Sequence, residues 1–118
     1  MAKVPAPAKL SAKARRLWSS VTEKYDLRAD ELRVLEDACR EVDLVERLEK
    51  ALADGDLIVR GSQGQPVANP LVTEIRQHRG QLQRLLGSLK LPDEDGRAAE
   101  SRSSSARAAA NARWRRSA

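Results

Sequence analysis

The sequence predicts an all-α, mainly helical fold: a three-helix subunit with a long central helix, one small β-hairpin and a disordered basic tail. Apolar positions are filled mostly by Ala, Leu and Val, and the aromatic residues are only Trp18, Tyr25 and Trp114, with no Phe, a composition that favours helices over a sheet. The apolar residues recur at spacings of three and four, the period of an amphipathic helix. A chain of 118 residues, 33% charged and 41% hydrophobic, has room for one small domain with a modest core.

Residues 1–9, MAKVPAPAK, carry two prolines among small side chains and cannot bury enough apolar area to order themselves, so a flexible arm is expected. Ser11 is placed to cap a first helix over about residues 11–24, in which Ala14, Leu17, Trp18, Val21 and Tyr25 form the apolar stripe. Its opposite face carries Lys13, Arg16 and Lys24, with Arg15 at the flank. Asp30 is the expected N-cap of a second helix that runs to Asp54-Gly55, where Gly55 supplies a left-handed residue. At about 1.5 Å per residue this helix exceeds 30 Å, long for so small a domain. Leu32, Leu35, Ala38, Cys39, Val42, Val45, Leu48 and Leu52 spread over close to half its circumference, and Val34 and Leu44 widen the sector. A helix with one neighbour needs a narrower stripe, so more than one partner is expected for this one.

LIVR at 57–60 and QPVA at 65–68 flank Gly61-Ser-Gln-Gly64, two β-capable runs joined by turn chemistry. Pro66 cannot donate a ladder bond, which keeps the hairpin small and at an edge. Asn69-Pro70 opens a third helix, with Asn as N-cap and Pro at the first helical position. Leu71, Ile75, His78, Leu82, Leu85 and Leu89 carry its stripe to an end near residue 90. Pro92-Asp-Glu-Asp-Gly96 then breaks the pattern, and residues 92–118 form an Ala/Ser/Arg-rich tail with no apolar periodicity. The domain organisation expected is therefore an arm at 1–9, a helical core and oligomerisation domain at 10–91, and the tail.

The formal charge of +5 is unevenly placed. Residues 97–118 hold six Arg against Glu100, whereas residues 1–96 balance at 16 basic to 16 acidic. Residues 1–24 are six basic to one acidic, residues 25–56 five to eleven, and residues 57–92 five to one. Both ends are basic and the middle is acidic. Lys9, Lys13, Arg15 and Arg16 near the start, and Arg107, Arg113, Arg115 and Arg116 near the end, supply the point charges and planar forks that bind phosphate.

Signals for an enzyme are nearly absent. There is no phosphate-binding Gly-x-x-x-x-Gly-Lys loop, no His-Glu-x-x-His and no Cys/His cluster at metal spacing, so neither a metal nor another cofactor is expected. His78 projects onto an apolar stripe and reads as a packed or interface histidine, and Cys39 as a small buried hydrophobe. The acidic residues of the second helix alternate with Arg33, Arg40, Arg47 and Lys50, the pattern of a solvated face with i,i+4 pairs. One cysteine makes no internal disulfide, and no apolar run is long enough for a signal or membrane segment, which leaves the cytoplasm as the expected compartment.

In this order, LSAKARRLWSSVTEKYDL at 10–27, the long acidic helix, Gly55 opening a hairpin with Gly64, VANP at 67–70 and LLGSLKL at 85–91 resemble the small terminase subunits of tailed double-stranded DNA bacteriophages. The resemblance covers about residues 10–91. It implies a non-enzymatic protein that assembles into rings, recognises viral double-stranded DNA at the start of packaging, and works in the bacterial host's cytoplasm with a separate large terminase subunit. The sequence departs from similar proteins after the third helix, where Pro92 is followed by Asp93, Glu94 and Asp95 instead of a basic segment. The wide apolar sector of the second helix then assigns a homo-oligomer interface to Val34, Val42, Val45, Leu48 and Leu52, with Ile58 of the hairpin. Two other classes compete: a dimeric helical DNA-binding regulator, and a structural adaptor with a basic docking tail.

Overall fold

A computed structural model describes residues 4–92 as α1 (Ala12–Thr22), α2 (Ala29–Ala53), β1 (Ile58–Arg60), β2 (Pro66–Ala68) and α3 (Pro70–Leu89). The expected order of three helices and one hairpin is the order observed. The segment after Pro92, with Arg107, Arg113, Arg115 and Arg116, lies outside the described residues.

Each helix start follows from a local side chain. Ser11 accepts the Ala14 amide at 3.2 Å and caps α1. Its own N–H reaches Asp43 Oδ2 at 3.0 Å and its hydroxyl donates to Asp43 Oδ1, so one residue caps α1 and ties it to α2. The N-cap of α2 falls two residues before the expected Asp30. The Glu31 carboxylate accepts the Arg28 backbone N–H at 2.8 Å, which satisfies a donor at the helix mouth and makes Arg28 the N-cap. Asp30 falls inside the first turn, against the Arg28 guanidinium at 3.3 Å.

The end of α2 also differs from expectation. Gly55 is not left-handed; the C-cap Asp54 stays right-handed at φ −85°, and the Gly55 N–H closes a short turn onto the Leu52 carbonyl at 3.0 Å. The left-handed glycine is Gly64, at φ 79° in the hairpin turn, where its N–H reaches the Gly61 carbonyl at 3.0 Å. β1 and β2 pair antiparallel with Val59 opposite Val67 and Arg60 opposite Pro66. Asn69 Oδ1 accepts the Leu71 amide at 3.0 Å and Pro70 occupies the first position of α3, as the Asn-Pro pair predicts.

Leu10, Ala14, Trp18, Val21, Leu27, Leu35, Cys39 and Leu89 form the buried cluster, which joins α1, the first half of α2 and the end of α3. α2 is thus covered on two sides within the chain. Against the expectation of a flexible arm, the segment from Val4 onward lies on this cluster: Val4 and Ala6 pack against it, and Trp18 Nε1 donates to the Val4 carbonyl at 3.1 Å. Arg40 Nη1 donates to the Ala8 carbonyl at 3.0 Å. The prolines remove backbone donors and stiffen the segment, so these few contacts suffice to hold it.

Further along the α2–α3 seam His78 Nδ1 lies 2.8 Å from Glu41 Oε2, and Arg79 pairs with Glu49. His78 is packed between the helices as expected, through a carboxylate partner.

Cys39 is fully buried, with Sγ 3.4 Å from the Ala14 carbonyl. Burial, reinforced by the Asp43 carboxylate, pushes its thiol from 9.0 up to about 11. The folded protein therefore holds the proton over a range in which the unfolded chain releases it, so this thiol contributes stability below pH 9 that is lost as pH rises from about 9 to 11. Alkylation of native protein at pH 8 should be slow and should become rapid in denaturant. Rapid labelling under native conditions would place Cys39 outside the core.

Candidate nucleic-acid and subunit interfaces

The register of α1 is set by its buried residues. With Ala14, Trp18, Val21 and Thr22 turned inward, Lys13, Arg15 and Arg16 are all exposed. Lys13 and Arg16 stand one turn apart, and among the described residues none of the three is in an ion pair. α1 has no acidic residue of its own in its first turn, and the Asp43 carboxylate of α2 sits on its N-cap Ser11, so the positive charge of this end comes from the exposed side chains. Lys9 precedes this turn, exposed and left-handed at φ 63°. Four cations of the predicted set are thereby gathered around the start of one helix.

A second surface lies at the far end of α2. Leu52, Leu57, Val72, Ile75 and Leu82 line an open groove of about 1190 Å³, with Arg76 and the Glu49–Arg79 pair at its rim. Beside it Leu57 and Ile58 are 64% and 60% exposed, large apolar side chains at the base of the hairpin. Neighbouring apolar groups exposed together mark a contact surface more than a solvated one.

The predicted interface residues separate into two groups here. Val34 and Val42 lean on the buried cluster and Val45 is itself buried in the single chain, so these three side chains contribute to the subunit's own packing. Leu48 is half-buried, Leu52 lines the groove and Ile58 is exposed beside it. Leu57, Val72 and Leu82 complete the surface and were not in the predicted set. Leu57 precedes the strand, and the α3 residues carry an ordinary core stripe, so only the fold reveals that they share a groove.

Among the described residues no group of three His, Cys, Asp or Glu side chains is arranged to hold a metal ion, and no helix is long and apolar enough to cross a membrane. A family model described as phage terminase, small subunit, matches residues 12–107. No curated protein and no solved structure gives a match.

Proposed function

We propose that this chain, which belongs to the phage terminase small-subunit family, recognises viral double-stranded DNA and brings it to the large terminase subunit as packaging begins. The match over residues 12–107 carries this reading, and the exposed Lys13, Arg15 and Arg16 support it. The mechanism is scaffolding. Each subunit offers a few phosphate contacts from the start of α1 and from the arginine-rich tail, and a closed homo-oligomer built through the hairpin end of α2 multiplies them by avidity. Bond chemistry belongs to the large subunit, in the cytoplasm of the bacterial host.

Binding of the full chain to duplex DNA, followed by fluorescence anisotropy across a salt series, tests the reading. Log affinity should fall against log salt with a slope of about −0.9 per phosphate neutralised. Replacing Lys13, Arg15 and Arg16 by Ala should weaken binding and flatten the slope by about 2 to 3 for each subunit engaged. Replacing Arg113, Arg115 and Arg116 should do the same. If both sets leave affinity and slope at the parent values, DNA is not what these residues bind.

A further inference from the structure

The charges of α2 look like a self-paired solvated face in the sequence, and in the first half of the helix they are. Arg33 pairs with Glu36 and Asp37, and Arg40 with Glu36. In the second half three of the four carboxylates are engaged by other elements: Glu41 by His78, Asp43 by Ser11 and Glu49 by Arg79. Arg47 and Lys50, one turn apart, are consequently exposed with no ion pair among the described residues. Opposite them the N-terminal segment presents Lys9, whose position is set by its left-handed φ of 63° and by the flanking bonds Arg40 to Ala8 and Ser11 to Asp43. The three cations line a cleft of about 490 Å³ between that segment and α2. Two carboxylates, Asp43 on the neutral Ser11 and Glu46, line the cleft against Lys9, Arg40, Arg47 and Lys50, so it is left with an excess of positive charge.

We propose that Lys9, Arg47 and Lys50 form a binding site for the phosphodiester backbone of DNA, an inference that rests on reading the chain as a DNA-binding subunit. Arg47 offers a planar fork to two phosphate oxygens, and the two ammonium groups act as point charges from either side. No aromatic side chain lines the cleft on which a base could stack. The site therefore takes backbone phosphate without reading sequence, and it positions the duplex while base discrimination comes from elsewhere.

The test uses the full chain and a duplex of about 30 base pairs, with affinity measured over a salt series. The Arg47→Ala, Lys50→Ala double variant should bind about tenfold more weakly at low salt, equally for duplexes of different sequence, and its log–log slope should be shallower by about 2. Glu46→Gln should tighten binding. Arg33→Ala removes an exposed cation of the same helix that is already paired, and should change affinity less than twofold; thermal melts confirm that every variant is folded. A parent that binds while the double variant weakens no more than Arg33→Ala overturns the cleft alone. A parent that binds no duplex overturns the DNA reading and the cleft together.

Discussion

Trp18→Ala is expected to remove about 4 kcal/mol of folding stability, the largest loss available from one side chain here. Trp18 is 4% exposed at the centre of the cluster that joins α1 to Leu35 and Leu89, and its indole N–H ties down the Val4 carbonyl. Truncation opens a cavity and also releases the N-terminal segment. A small domain has a total stability of only about 5 to 15 kcal/mol, so thermal unfolding should shift down by on the order of 20 °C at matched protein concentration. A shift below about 5 °C would mean that α1 is peripheral to the core.

The second large effect concerns assembly. Leu57→Asp combined with Ile58→Asp should reduce the mass seen by native mass spectrometry from an oligomer to a monomer, a loss of subunit affinity of at least about a hundredfold. Both side chains are mostly exposed in the single chain, so the charges cost the fold little, but burying them between subunits leaves two unpaired carboxylates in an apolar contact. Circular dichroism should match the parent. Val45→Glu is the contrasting case: Val45 is buried inside the subunit, so that variant should unfold rather than dissociate. A double Asp variant that keeps the parent mass places the interface away from the hairpin.

What could be read in the sequence was local. Ser11, Asn69-Pro70 and the Gly61–Gly64 turn act through bonds to residues two to four positions away, and their side chains and φ preferences specify those elements. The three stripes were legible because helical spacing is a property of neighbours. The N-terminal segment was not, since its order depends on Trp18 and Arg40, which the fold brings to Val4 and Ala8. Lys90 is another case: it closes α3 in the left-handed region at φ 54°, a position where a glycine signal would be sought. The candidate sites suffered most. Whether an apolar residue of α2 faces its own α3 or another subunit, and whether a cation is paired, are decided by elements 20 to 40 residues away. Val45 and Leu52 therefore looked alike, as did Arg40 and Arg47.

Tyr25 donates its hydroxyl proton to the Pro92 carbonyl at 2.7 Å, and Trp18 holds Val4, so the backbone enters and leaves the folded body at the α1 end, with the hairpin at the other. The subunit is vectorial. In any array of parallel copies, every Val4 and every Pro92 would stand at one rim and every hairpin at the other, so such a particle has a front and a back.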